Sequence, residues 1–294
     1  MARWTAADIP DESGRTFLVT GANSGLGLET ARQLARHGAR VIMTARNEAK
    51  GRKAVDEIGG ADLELRLVDL SDLDSVRALA DELKAERIDV LVNNAGIMMP
   101  PRQLSKQGQE SQFATNHLGH FALTGLLLGQ ITDRVVTVSS GLHKRGSIHF
   151  DDITGERSYS PTDFYAQSKL ANLLFALELD RRLRAAGSTL RSLSAHPGYA
   201  ATNLQSTGPT GINVQFMKLG NLLLAQSAAQ GALPLLYAAT AEQAQSGQYI
   251  GPDRLGELRG HPTVVKPSRK AQDPELASRL WTLSEELTGV TFSI

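Results

Sequence analysis

The chain has 294 residues, 41% hydrophobic and 21% charged, a composition typical of a globular protein that can bury a large core. Its 31 basic and 31 acidic side chains balance, which argues against nucleic acid as the main partner. The absence of cysteine excludes disulfides, thiolate zinc sites and cysteine nucleophiles. Because we find neither an apolar run long enough for a membrane span nor a secretory signal, we expect a cytoplasmic protein.

Strand-like and helix-like segments alternate along the chain. In chain order the predicted elements are strand Thr16–Thr20, helix Leu26–His37, strand Arg40–Ala45, helix Glu48–Ile58, strand Leu63–Val68, helix Ser71–Ala85, strand Asp89–Val92, helix Gln109–Leu128, strand Arg134–Ser139, helix Phe164–Ala186, strand Leu190–Ala195 and strand Gln248–Ile250. This alternation predicts an α/β fold with a doubly wound parallel sheet of about seven strands and helices on both faces. We find no linker long enough to divide the chain, so residues 1–294 are expected to form a single domain.

Two longer segments, near residues 141–163 and 199–224, show no regular pattern. Each follows the carboxyl end of a predicted strand, which is where open α/β sheets bind their ligands. We interpret them as substrate-side insertions that form a wall and a lid, and their apolar side chains suggest an apolar pocket. The alternative is that both are surface insertions without a role in binding.

The first predicted strand is joined to the first predicted helix by the sequence TGANSGLG, Thr20–Gly27. Glycines here let the backbone turn sharply and approach a pyrophosphate, while the N–H groups and dipole at the helix N-terminus favour an anion. A purely structural turn is the alternative, but its place at the first strand–helix junction favours phosphate binding. The predicted phosphate-binding residues are Gly21, Asn23, Ser24, Gly25, Leu26 and Gly27.

Arg46 follows the second strand, where an acidic residue would bind the ribose hydroxyls of NAD. Because a guanidinium can bind a 2′-phosphate that a carboxylate would repel, we predict NADP (NADPH) as the preferred cofactor, with NAD as a possible one. The alternative is that Arg46 is a solvated surface charge. Further cofactor contacts are predicted at the ends of the third and fourth strands, from Asp69, Leu70, Asn93, Ala95 and Gly96.

Tyr165 and Lys169 are four residues apart in a predicted helix and therefore share one face. A neighbouring ammonium lowers the pKa of a tyrosine from about 10 towards neutrality, which suits proton exchange with a substrate oxygen. The alternative is an ordinary surface pair. Two further features favour the reactive pair. A serine hydroxyl at the end of the fifth predicted strand, on Ser139 or Ser140, can hydrogen-bond a substrate oxygen, and Asn116, an unfavourable residue inside a helix, can hold a water near Lys169.

These motifs together resemble the short-chain dehydrogenase/reductase family. The resemblance runs from about Gly14 to Gly251 through TGANSGLG, NNAG, TNHLGHF, VSS, YAQSK and HPG, in that order. It implies a Rossmann fold and a catalytic tetrad of Asn116, Ser140, Tyr165 and Lys169. Ser140 is preferred to Ser139 because the second serine of such a pair usually has this role. Further cofactor contacts implied by the resemblance, on the nicotinamide side, are Tyr165, Lys169, Pro197, Gly198 and Thr202.

Longer phrases such as YAQSKLANLLFALEL and LWTLSEELTG resemble the retinol dehydrogenase-like branch and its bacterial relatives. The implied activity is hydride transfer between NADPH and a carbonyl or alcohol of an apolar small molecule. Two alternatives remain open: NADPH-dependent reduction of a carbon–carbon double bond, as in protochlorophyllide reductase relatives, and a cofactor-sensing binding protein without turnover. Dimers through the two long helices are usual in the family, so a homodimer is one expectation, which the insertions could change.

Overall fold

Eight strands form one sheet in the computed structural model, which describes residues 3–60, 62–199 and 226–294. Their order across the sheet is β3-β2-β1-β4-β5-β6-β7-β8. Neighbouring strands from β3 to β7 pair in parallel, and β8 pairs antiparallel with β7. The strands are β1 Thr16–Val19, β2 Arg40–Ala45, β3 Leu63–Leu67, β4 Ile88–Asn93, β5 Ile131–Val138, β6 Arg191–Ala195, β7 Tyr249–Arg254 and β8 Arg259–Val265.

Helices cover both faces of this sheet, which confirms the predicted α/β architecture. They are α1 Gly25–Arg36, α2 Glu48–Ile58, α3 Leu73–Glu82, α4 (Ser111–Phe113, the π-helical turn Ala114–Leu118 and Gly119–Leu127), α5 Pro161–Ala185, α6 Ala228–Thr240 and α7 Pro274–Thr288. Short 3-10 turns occur at Ala6–Asp8, Leu128–Gln130, Gly141–Arg145, Phe150–Asp152 and Lys270–Gln272.

The buried strands supply side chains to two cores, one on each face. Along β1, Phe17 and Val19 pack into the core that contains α1, α2 and α6, whereas Leu18 packs into the core of α3, α4, α5 and α7. This alternation follows from the two-residue period of an extended strand. It explains why the central strands β1 and β4 are apolar at nearly every position, as expected for parallel strands covered on both sides.

The chain order places a crevice at the centre of the sheet. From β1 the chain continues outward through β2 and β3, then returns to β4 on the other side of β1 and continues outward through β5, β6 and β7. The connections on the two sides therefore diverge between β1 and β4, and the loops at the carboxyl ends leave a space for a ligand.

The structure adds features that the sequence pattern did not predict. Strand β8 contains Pro262 and is only partly buried, so it lacks the apolar run of central strands such as β1 and β4. The first predicted insertion, 141–163, contains the two 3-10 turns Gly141–Arg145 and Phe150–Asp152. The second predicted insertion, except for Tyr199, lies outside the described residues.

Candidate active site

A cleft of about 780 Å³ lies at the carboxyl ends of the central strands. Most of the predicted cofactor-binding residues line it, although they come from separate parts of the chain. Those that line the cleft are Gly21, Asn23, Ser24, Gly25, Leu26, Gly27, Arg46, Asp69, Leu70, Ala95, Gly96, Tyr165, Lys169, Pro197 and Gly198. Thr202 lies outside the described residues.

The glycine-rich turn forms one end of this cleft. Gly21 has a φ of +64° and Gly25 a φ of +56°, values that side-chain-bearing residues rarely adopt. A Cβ added to Gly27 would lie 2.4 Å from the Gly21 carbonyl oxygen, so only glycine fits there. The Ser24 side chain does not cap α1, which leaves the N–H groups of its first turn available. This narrow, amide-lined turn fits the pyrophosphate of a dinucleotide.

Arg46 and Lys50 place two positive charges beyond the glycine turn. The Arg46 side chain is 73% exposed, and its Nη1 lies 3.9 Å from Asp69 Oδ2. Asp69 Oδ1 accepts hydrogen bonds from both the N and the Oγ of Ser71, which fix the carboxylate. The sequence analysis missed Lys50, which occupies the first turn of α2, four residues after Arg46.

Asn93 does not line the cleft, which corrects the sequence prediction. Its side chain is buried on the other side of the strand end, where Nδ2 donates to Thr124 Oγ1 at 2.9 Å. The next residue, Asn94, lines the cleft instead, and its Nδ2 donates to the Thr20 carbonyl at 2.7 Å. Successive side chains of an extended segment point in opposite directions, so Asn93 and Asn94 cannot both face the cofactor.

Tyr165 and Lys169 lie on one face of α5, at the other end of the cleft. Lys169 Nζ is 5.8 Å from the centroid of the Tyr165 ring and donates to the Val138 carbonyl at 3.2 Å. Burial raises the pKa of Tyr165 to about 12, although a hydrogen bond with Ser140 acts to lower it. Burial also lowers the pKa of Lys169 to about 8. The expected lowering of the Tyr165 pKa is therefore wrong for the protein alone, because the loss of hydration outweighs other effects on the phenolate.

The two serines at the end of β5 have different environments. Ser139 is buried, and its hydroxyl donates to the Lys169 carbonyl at 2.8 Å, which attaches β5 to α5. Ser140 is half-buried and lines the cleft together with Tyr165, whose pKa it acts to lower. Its Oγ also accepts from the Leu142 N–H at 3.2 Å, so its position is fixed by the turn that follows.

Asn116 is buried in the π-helical turn of α4, behind the surface of the cleft. Its Oδ1 accepts from Ile97 N at 2.8 Å, and its Nδ2 donates to Ile97 O at 3.0 Å and to Ser168 Oγ at 2.9 Å. A Cβ on Gly96 would lie 3.1 Å from Asn116 Oδ1 and 3.6 Å from Lys169 Nζ, so these two polar groups approach the same point. Asn116 thus connects the loop after β4 to α5, and the water near Lys169 stays a prediction.

The sequence matches the family model described as short chain dehydrogenase over residues 15–211. The chain belongs to the short chain dehydrogenase family. It is 39% identical to human retinol dehydrogenase 14 over 303 residues, which cover 94% of this chain and 87% of that protein. It is 40% identical to human retinol dehydrogenase 13 over 300 residues, or 97% and 86% of the two chains. The predicted retinol dehydrogenase-like branch is confirmed, and this short chain dehydrogenase is an NAD(P)-dependent oxidoreductase.

Solved structures support the fold of this short chain dehydrogenase. A protein from Mycobacterium Paratuberculosis is 49% identical, with a TM-score of 0.86 and complete coverage of both chains. A chain from Beutenbergia cavernae with NADP bound at low occupancy is 26% identical, with a TM-score of 0.65 over 81% of this chain and 94% of that chain. Within the described residues, we find no helix with the length and hydropathy to cross a membrane and no cluster of acidic and histidine side chains that could hold a metal ion.

His120 is a buried residue of this short chain dehydrogenase that the sequence analysis did not assign. Its Nδ1 lies 2.9 Å from the Asn116 carbonyl, and its Nε2 lies 2.8 Å from Thr20 Oγ1. The Thr20 hydroxyl also accepts from the N–H groups of Asn94 and Ala95, each at 2.9 Å. Burial lowers the pKa of His120 to about 4, so the ring is neutral near pH 7. His120 therefore connects the end of β1 to the turn that holds Asn116.

Proposed function

We propose that this short chain dehydrogenase is an NADPH-preferring enzyme that interconverts a carbonyl and an alcohol on an apolar small molecule. The observation that supports this most directly is that Tyr165, Ser140 and Lys169 line one end of the cleft that begins at the glycine turn, where Ser140 acts to lower the Tyr165 pKa and Lys169 Nζ lies 5.8 Å from the Tyr165 ring centroid. A phosphate-binding turn at one end and a phenol–hydroxyl pair at the other suit a dinucleotide together with an oxygen-bearing substrate.

The nicotinamide cofactor, when bound, supplies or accepts the hydride at C4. The residues of the chain perform the remaining steps. Ser140 donates a hydrogen bond to the substrate oxygen, where negative charge develops during reduction. Tyr165 donates its proton to that oxygen, and its raised pKa keeps the phenol protonated near pH 7. Lys169 lies on the same helix face, where its ammonium favours the phenolate that is left behind.

The preference for NADPH is supported by the charges near the ribose-binding position. Arg46 and Lys50 line the cleft after β2, and Arg46 stands where NAD-binding proteins carry an acidic residue. Asp69 lies 3.9 Å from Arg46 and reduces its positive field only in part, because the Arg46 side chain is exposed to solvent and the two groups are not in direct contact. The structure from Beutenbergia cavernae with bound NADP agrees with this proposal.

The proposal of an apolar substrate rests on the side chains near Ser140 and Tyr165. Leu142, Ile97, Met98 and Met99 line the cleft together with these two residues. The relatives named as retinol dehydrogenases are consistent with an apolar alcohol or aldehyde. We place the carbonyl of the substrate between the Ser140 and Tyr165 hydroxyls and its apolar part against the methionines.

Turnover with apolar aldehydes and ketones tests this function. The purified protein is incubated with NADPH and a panel that includes retinaldehyde and α,β-unsaturated aldehydes, and the products are identified by NMR. We expect NADPH consumption matched by formation of the alcohol. A saturated carbonyl product would instead indicate carbon–carbon double-bond reduction, and no consumption with any compound would contradict an enzymatic function. Titration with NADPH and NADH at the same salt concentration tests the cofactor preference, which equal affinity would contradict.

A further inference from the structure

Carboxylates are rare in the cleft. Among the described residues that line it, only Asp69 and Glu257 are acidic, and Asp69 lies at the ribose end beside Arg46. Glu257 lines the cleft together with two exposed cationic side chains, Lys144 and Arg145, which follow Ser140 by four and five residues in the chain. Glu257 is therefore the acidic group that opposes the positive charge at this end of the described cleft.

A strained hairpin between β7 and β8 holds Glu257 in place. Leu255, Gly256 and Glu257 have φ values of +51°, +65° and +69°, so two side-chain-bearing residues adopt the left-handed conformation. The hairpin contacts the turn after β6, because the Tyr199 N–H donates to the Leu258 carbonyl at 2.7 Å. Backbone strain of this kind persists only where the surrounding structure enforces it, and here it directs a carboxylate into the cleft.

Glu257 contacts two groups on the wall of the cleft. Lys144 Nζ donates to its Oε2 at 3.0 Å, and His196 Nε2 lies 3.3 Å from the same oxygen. These two partners lower the pKa of Glu257 to about 2, so the carboxylate is ionised at neutral pH. Lys144 is four residues after Ser140 in the chain. The neighbouring ring of His143 is buried, which lowers its pKa, and its Nδ1 lies 2.7 Å from the Ser140 carbonyl.

We propose that Glu257 is a specificity-determining residue that excludes anionic substrates by neutralising Lys144 at the substrate end of the cleft. The inference rests on the proposed function, because it concerns the substrate of the same site. With Glu257 ionised, a substrate carboxylate meets a like charge and finds Lys144 already paired. Without that charge, Lys144 and Arg145 form an unopposed cationic wall next to Ser140. In the wild-type protein, the Glu257 carboxylate repels anions, so the cleft favours neutral carbonyl compounds through this repulsion as well as through apolar contact.

Equilibrium binding tests this proposal without requiring turnover. Benzoate and its neutral analogue benzamide are titrated into the NADP⁺ complex, and their dissociation constants are measured by ligand-observed NMR. Glu257→Gln keeps the shape of the side chain and removes its charge. It should strengthen benzoate binding about tenfold and change benzamide binding by less than about twofold, since the freed Lys144 is partly screened by solvent. Adding Lys144→Met to Glu257→Gln should abolish most of the gain.

A second variant keeps the test valid if Glu257→Gln alters the hairpin. Lys144→Glu leaves β7 and β8 unchanged and adds a second carboxylate, so benzoate should bind more weakly than in the wild type while benzamide binding is retained. Equal benzoate-to-benzamide ratios in all variants would overturn the proposal. The ratio of kcat/KM for 4-carboxybenzaldehyde to that for benzaldehyde should rise about tenfold in Glu257→Gln. If the wild type reduces no carbonyl compound, the proposed function fails, whereas the binding ratios still decide the role of Glu257.

Discussion

Replacing Gly27 by alanine should weaken NADPH binding without unfolding the protein. The added Cβ would lie 2.4 Å from the Gly21 carbonyl oxygen and 2.5 Å from Asn94 Nδ2. Both distances are below van der Waals contact, so the turn or the Asn94 side chain must move. The Asn94 amide donates to the Thr20 carbonyl at 2.7 Å, and this hydrogen bond is the contact most directly threatened.

The size of the effect follows from these contacts. Overpacking costs about 1–3 kcal/mol, and a weakened neutral hydrogen bond adds about 1 kcal/mol, so the native turn is disfavoured by roughly 2–4 kcal/mol. Because a domain is stable by about 5–15 kcal/mol, the variant should remain folded. If the turn must return to its native conformation to bind the cofactor, most of this cost lowers the affinity, and the NADPH dissociation constant should rise about 30-fold or more.

NADPH fluorescence titration measures this effect, with thermal unfolding as a check on folding. Gly129→Ala is the matched control, since a Cβ at Gly129 would meet nothing within 4 Å and its φ is not positive. The control should bind NADPH as the wild type does. If Gly27→Ala is folded and its dissociation constant is within about twofold of the wild-type value, the argument that the turn closely contacts a pyrophosphate is wrong.

Three further predictions concern charge and burial. Arg46→Asp should lower the preference for NADPH over NADH by at least about tenfold in parallel titrations, because it places a carboxylate near the 2′-phosphate. An unchanged ratio of the NADH and NADPH dissociation constants would show that Arg46 is only a solvated surface charge. Burial lowers the pKa of Lys169 to about 8 in the folded chain, from a reference value of 10.5. Between pH 8 and 10.5, Lys169 is therefore deprotonated in the folded chain but still protonated in the unfolded chain. In urea unfolding, the free energy of unfolding of the wild type should therefore rise by up to about 3 kcal/mol from pH 8 to 10.5, relative to that of Lys169→Met. If the free energies of unfolding of the two proteins change in parallel with pH, Lys169 is not buried as the structure shows. Asn116→Ala should reduce the free energy of unfolding by about 2–3 kcal/mol, because it removes the amide that hydrogen-bonds the half-buried backbone of Ile97 and the buried hydroxyl of Ser168. A loss below about 1 kcal/mol would mean that water replaces the amide.

The sequence predicted the parallel part of the sheet well because buried strands leave a strong apolar signal. The edge strand β8 has no such signal, since Pro262 and partial exposure interrupt it. Helix α5 begins at Pro161, three residues before the predicted start, because its cap is Ser160, whose side chain accepts from Asp163 N. A Ser-Pro pair is a recognised helix start, so this boundary could have been found by capping rules.

Contacts between distant parts of the chain account for what the sequence could not predict in the site. Lys144 and Glu257 are 113 residues apart, and neither belongs to a motif of its own. The Tyr165 pKa was predicted from the spacing to Lys169 alone, but its direction depends on burial, which the local spacing does not report. Asn93 was predicted in the cleft because it lies at the end of the fourth strand, and only the register of β4 decides whether Asn93 or Asn94 faces the cleft.

Turnover of Tyr165→Phe with NADPH and an aldehyde that the wild type reduces tests the central claim most directly. Tyr159→Phe is the matched control, since the Tyr159 hydroxyl donates to the Pro100 carbonyl and the residue is not among those that line the cleft. Because general acid catalysis contributes about 10²–10⁴-fold, kcat of Tyr165→Phe should fall below about 1% of the wild-type value, with NADPH affinity and melting temperature nearly unchanged. The Tyr159→Phe variant should retain most of its activity. A Tyr165→Phe variant that keeps more than about a tenth of wild-type kcat would show that another group donates the proton.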